Sequence, residues 1–163
     1  MRAETLHQIL LAAILAGLGL ALYAGIEVYY ALAASVCSPS PIISCSAVLK
    51  SGKTTIFGVQ DWIIGTAGFV ALLIVDVLVY RTWKRSYLAV LLGLSTIGLG
   101  VSAYLAAVEV TQIGALCPVC FASYVANAVA LAMAVTIWRR GAADRSGSVD
   151  RVDEAATGPT GSA

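Results

Sequence analysis

Charge is what this chain has least of. Only 12% of its 163 residues are Asp, Glu, Lys or Arg, against 60% hydrophobic, and the mean hydropathy is +0.89. Soluble domains carry about 25% charged residues, so an ordinary water-soluble fold is excluded and an integral membrane protein is indicated. The net charge is only +1, and without a basic patch the chain offers nothing to a nucleic-acid backbone. No internal repeat is visible. Cysteine is sparse at four residues, and asparagine occurs once, as Asn127.

What is abundant is uncharged length. Ile9 to Ile26 covers most of a bilayer core about 30 Å thick at about 1.5 Å per residue, and Trp62 to Tyr80 with Asp76 as its one interruption, Tyr87 to Val108, and the stretch between Glu109 and Arg139 give three further spans. The expected fold is an all-α integral membrane protein, a bundle of four transmembrane helices at about residues 9–30, 58–80, 87–108 and 117–138. Arg2 before an apolar run also suits a cleaved signal peptide. The run is longer than the usual h-region of about 7–15 residues and lacks an Ala-x-Ala site at the right distance, which favours a retained helix.

Four spans put Arg2, Arg81, Lys84, Arg85, Arg139, Arg140, Arg145 and Arg151 on one side and only Lys50 and Lys53 on the other. The positive-inside bias therefore predicts a multi-pass cell-membrane protein with cytoplasmic termini. Residues 1–140 form the membrane domain in this reading. From Gly141 the chain turns small and polar, so residues 141–163 are expected as a disordered cytoplasmic tail, with a cloning remnant in Gly158 to Ala163 as an alternative. The long outer loop, about Ala31 to Phe57, holds Pro39 and Pro41 in a Ser-rich stretch, and Ser46 to Lys50 is expected as a short interfacial helix. Gly17, Gly19, Gly25, Gly93, Gly98, Gly100 and Ser102 suit close helix packing.

All four cysteines fall on the outer side: Cys37 and Cys45 on the long loop, and Cys117-Pro118-Val119-Cys120 at the mouth of the last span. A Cys-x-x-Cys pair opens and closes as a disulfide with little backbone movement, and two pairs make an electron relay. Cys117 sits at the capping position with Pro118 as first helical residue, where the helix dipole favours a negative sulfur. Cys120 lies one turn deeper. Two static disulfides remain an alternative on an extracytoplasmic face, as does a four-thiolate zinc site, although seven residues between Cys37 and Cys45 exceed the usual spacing of about 2–4.

Cys37-x7-Cys45, Ser51 six residues on, Phe57-Gly58, and Cys117-Pro118-Val119-Cys120 followed by Tyr124 together resemble the vitamin K epoxide reductase family over about residues 9–140. The resemblance implies a four-helix bundle around a quinone of menaquinone or ubiquinone type, with the loop pair carrying electrons from a thioredoxin-like protein. By position, Cys37 would meet the partner, Cys45 would attack Cys117, and Cys120 would react with the quinone. Tyr124, one turn after Cys120 on the same face, would hydrogen-bond a quinone oxygen. Ser51 would donate near the active disulfide, and Phe57 and Trp62 would wall the apolar site.

The pattern departs from the family in two places. No fused thioredoxin-like domain follows the last span, so the resemblance is to a prokaryotic-type member with a separate partner. The helix-two asparagine of vertebrate members is missing between Phe57 and Tyr80, which favours plain quinone reduction over vitamin K epoxide chemistry. Glu27, Asp61 and Glu109 near outer helix ends read as hydrated interfacial carboxylates, with Asp61 best placed to move protons. Asp76 is expected to pair or snorkel toward Arg81.

The expected function is that of a membrane thiol:quinone oxidoreductase supporting disulfide formation. A disulfide-forming quinone reductase of the other bacterial type would carry its Cys-x-x-Cys before the wider pair, the reverse of the order here. A non-catalytic membrane scaffold or small transporter with two structural disulfides is the alternative from another class.

Overall fold

Four helices long and apolar enough to cross a membrane organise the computed structural model, within Glu4–Glu27, Asp61–Thr82, Arg85–Ile113 and Pro118–Arg140. The structure describes residues 3–30, 42–51, 53, 55–56 and 58–156, with the helical backbone alone for residues 141–156. In chain order the elements are α1 (Ala3–Tyr30), α2 (Cys45–Lys50), a two-strand hairpin of β1 (Thr55–Ile56) and β2 (Val59–Gln60), α3 (Asp61–Thr82), α4 (Arg85–Val108), a π-helical turn (Glu109–Ile113) and α5 (Pro118–Ala156).

Helix α1 is the central element and packs most extensively on α5 and α3. Its Leu10, Ile14 and Ala21 meet Phe69 and Leu72 of α3, Leu91 of α4, and Ala126, Ala130 and Ala134 of α5 in one buried cluster. The three alanines recur at a spacing of four and so line one face of α5. Small residues set the approach of the helices, since lipid supplies no hydrophobic drive between them. A Cβ at Gly17 would stand 2.2 Å from the Phe69 ring, and one at Gly25 would stand 2.6 Å from the Trp62 ring.

Several boundaries differ from those expected. α1 begins at Ala3 rather than near residue 9: Glu4, Thr5, His7 and Gln8 are compatible with a helix, and Glu4 in the first turn complements its dipole. The second span begins at Asp61 rather than residue 58, because β1 and β2 pair antiparallel with Ile56 opposite Val59, and Gly58 supplies φ +79° in the turn. α5 continues to Ala156, so the tail expected to be disordered from Gly141 is helical in backbone that far. A span already formed extends at low cost through residues such as Ala and Arg, and no proline intervenes before Pro159.

At the end of the bundle remote from the cysteines, Asp76 is fully buried and faces His7 of α1, Oδ1 to Nδ1 3.5 Å. Tyr80, one turn on, stacks on the imidazole with ring centroids 4.7 Å apart. The pairing with Arg81 that sequence proximity suggested is therefore replaced by one across helices. Arg81 is exposed and Asp76 points inward. At the same end the Arg85 guanidinium lies 4.2 Å over the Trp138 ring, joining α4 to α5.

Candidate active site

At the opposite end, a second buried cluster gathers Ala24, Cys45, Val48, Ala115, Cys117 and Cys120. Ser44 caps α2 by accepting the Ala47 N–H at 3.2 Å, which sets Cys45 as the first helical residue. The segment before it forms a parallel β-bridge with the lead-in to α5: Leu116 N–H donates to the Ile42 carbonyl at 2.8 Å, and Ser44 N–H donates to the Leu116 carbonyl at 3.0 Å. Two chain segments distant in sequence thus run side by side just before Cys45 and Cys117.

Cys45 is disulfide-bonded, while Cys117 and Cys120 are free thiols. The Cys117 thiol donates to the Cys45 sulfur at 3.4 Å, a separation suited to attack by one sulfur on the other. Both are sealed, Cys117 at 0% and Cys45 at 1% exposure. The Cys120 N–H donates to the Cys117 sulfur at 3.2 Å, and the first α5 backbone bond runs from Phe121 N–H to the Cys117 carbonyl at 2.9 Å. Pro118 opens the helix without leaving an orphan donor, as its position predicts. Cys37 lies outside the described residues.

Beside Cys120 opens a cavity of about 230 Å³, mostly apolar, between α1, α3, α4 and α5. Cys120, Tyr124 and Asn127 line it at intervals of four and three residues along one face of α5, with Trp62 and Asp61 at the start of α3. Trp62 is held by donating its indole N–H to Gln60 Oε1 at 2.6 Å, and Gly25 gives its ring room. Trp62 and Tyr124 both line this cavity. Phe57 lies outside the described residues. Ser51 does not line the cavity: its hydroxyl donates to the Val48 carbonyl at 2.7 Å and accepts the Lys53 N–H at 3.2 Å, closing the end of α2.

Glu109 corrects the reading of a hydrated interfacial carboxylate. It is 1% exposed, accepts the Cys117 N–H on Oε2 at 3.0 Å and accepts the Tyr124 O–H on Oε1 at 2.8 Å. The π turn that it opens closes at Gly114, whose φ of 69° favours glycine and whose N–H donates to the Glu109 carbonyl at 2.9 Å. Lys53 Nζ donates to the Gln112 carbonyl of this turn at 2.9 Å. Glu27 is likewise buried rather than hydrated and accepts the Tyr23 hydroxyl at 3.1 Å.

Asn127 was not singled out as a site residue from sequence, yet it is buried at the cavity wall and donates to the Ser95 carbonyl at 3.3 Å. Its place in the sequence, seven residues after Cys120, was the available signal. A family model for the vitamin K epoxide reductase family matches residues 8–135. None of the curated proteins matches the chain significantly.

Proposed function

The chain belongs to the vitamin K epoxide reductase family, a family of membrane thiol-disulfide oxidoreductases that work with quinones, and on that premise we propose that it passes electrons from a separate thioredoxin-like protein to a quinone. The observation that carries this reading is the 3.4 Å approach of Cys117 to Cys45, with Cys120 one turn on in the cavity wall. The cavity is smaller than the roughly 300–1,000 Å³ usual for ligand pockets. That size and its apolar lining suit a flat ring whose tail remains in the membrane.

In the proposed cycle the dithiol of the partner is oxidised to a disulfide as it reduces Cys37–Cys45. Cys45 then attacks the oxidised Cys117–Cys120 pair at Cys117 and releases the Cys120 thiolate. Attack of Cys37 on Cys45 restores the loop disulfide and leaves Cys117 and Cys120 reduced. Reoxidation of that pair returns two electrons and two protons, the count that turns a quinone into a quinol. Free Cys117 and Cys120 beside disulfide-bonded Cys45 suit exchange better than a pair of static staples.

Purified protein in detergent is expected to reduce a soluble menaquinone or ubiquinone analogue when supplied with a dithiol. No reduction of any quinone by folded protein whose thiols oxidise would overturn the proposal. The basic residues support cytoplasmic termini and extracytoplasmic cysteines. A reporter cysteine at exposed Lys53 in a background without native cysteines is expected to react with a membrane-impermeant maleimide in intact cells, and one at exposed Lys84 only after permeabilisation. The reverse pattern would invert the topology.

A further inference from the structure

Glu109 divides its two oxygens between the reactive motif and the cavity wall. Oε2 takes the Cys117 N–H at 3.0 Å and Oε1 takes the Tyr124 O–H at 2.8 Å. A phenol has one proton to give. While that proton is donated to Glu109, it is not available to a ring oxygen in the cavity that Tyr124 lines. The bond reverses only when Glu109 carries a proton of its own: the carboxylic acid then donates to the phenol oxygen, and the phenol proton turns toward the cavity.

We propose that Glu109 is the proton carrier that loads Tyr124, making it a positioning residue for proton delivery to the quinone. The inference rests on the quinone reading above and deepens it. Cys120 lines the cavity, whereas Cys117 does not and is fully buried. Of the two thiol protons, the one on Cys120 has direct access to the ring, and the one from Cys117 needs a route. Glu109 is bonded to Cys117 through the backbone N–H rather than the thiol, and to a phenol in the cavity wall; it is the carboxylate at Cys117, and in the proposal it takes up the proton that the thiol releases.

The balance closes without a further reagent. Cys117 and Cys120 lose two protons and two electrons as their S–S bond forms. One proton passes from Cys120 to one ring oxygen. Tyr124 gives its proton to the other oxygen, regains one from Glu109, and Glu109 is reloaded by the proton leaving Cys117. Asp61 lines the same cavity but accepts the Trp62 N–H at the start of α3, so it serves as the comparison carboxylate.

Full-length protein in detergent, supplied with a dithiol and a soluble quinone analogue, tests this. Glu109→Gln keeps one acceptor oxygen but puts an amide nitrogen, which cannot accept, in place of the other, so it can hold only one of the two bonds and has no acidic proton to pass on. It is expected to lower kcat by about 100-fold with KM changed by less than about threefold, within the range of general acid catalysis. Glu109→Asp should recover part of kcat, and Asp61→Asn should cost less than Glu109→Gln. Tyr124→Phe should match Glu109→Gln, and the double variant should be no worse than either alone, because the two act as one unit.

Losses that multiply in the double variant, or a wild-type kcat in Glu109→Gln, would overturn the inference. If Glu109→Gln does not fold, redox-difference infrared spectra of the wild type replace it. A carboxylic-acid carbonyl band that differs between dithiol and disulfide states and shifts in Glu109→Asp supports the carrier, and no such band overturns it. Wild type that reduces no quinone would overturn the quinone reading together with this inference. Wild type that turns over beside an unaffected Glu109→Gln would overturn this inference alone.

Discussion

Cys120→Ser is expected to abolish quinone reduction, by at least about 10³-fold, and to accumulate a disulfide between Cys45 and Cys117. In the proposed cycle Cys120 is the sulfur at the cavity, and serine cannot form the closing S–S bond. The same substitution removes the only partner of Cys117 within its own motif. Cys117 then retains one route, attack on disulfide-bonded Cys45 at 3.4 Å, and no neighbouring thiol remains to resolve the product from the α5 side. Peptide mapping under non-reducing conditions should recover residues 45 and 117 cross-linked, while thermal unfolding stays close to wild type. Retained turnover, or a Cys45 never found joined to Cys117, would remove the basis for the relay.

His7→Leu is the substitution expected to cost the fold most. Asp76 has 0% exposure, and neither of its carboxylate oxygens has a hydrogen-bond partner among the described residues. The His7 imidazole at 3.5 Å is therefore the group that compensates it. Removing one member of a buried pair costs about 3–5 kcal/mol, and the Tyr80 stack is lost as well. Taking about 3 kcal/mol, and about 2–4 °C per kcal/mol for a chain of this size, the midpoint of detergent unfolding should fall by roughly 6–12 °C. His7→Leu combined with Asp76→Leu should recover most of that, since an apolar pair of similar volume is often no worse than the buried polar pair it replaces. An unchanged midpoint in the single variant, or no recovery in the double, would show that the pair does not hold α1 to α3.

These two cases also mark where sequence reading succeeds and where it stops. The spans were legible because an uncharged run of bilayer length has few other uses in water, and the Cys117 cap was legible because Pro118 fits only the first turn of a helix. A charge at the end of such a run is different. Glu109 and Asp76 read the same whether they face water or a group on another helix, and only the rotation of packed helices decides between the two. The π turn adds to this, since its extra residue shifts the face that Glu109 presents. The hairpin at Thr55 to Gln60 was hidden for another reason: strands of two residues are too short to show alternation. Ser51 was carried over by spacing from Cys45, and spacing alone does not tell a helix-closing hydroxyl from one that faces a ligand.

The bridge between Ile43 and Leu116 has a consequence for how this chain tolerates change. The contacts that bring Cys45 to Cys117 run through main-chain amides and carbonyls of residues 42, 44 and 116, while the side chains of Ile42, Ile43 and Leu116 are exposed. The exchange distance is thus written in atoms that every residue except proline possesses. Positions 42, 43 and 116 are therefore free to drift in side-chain identity without altering these bonds, and of the segments that align the two sulfurs only Ser44, whose hydroxyl caps α2, leaves a trace in the identity of its residue.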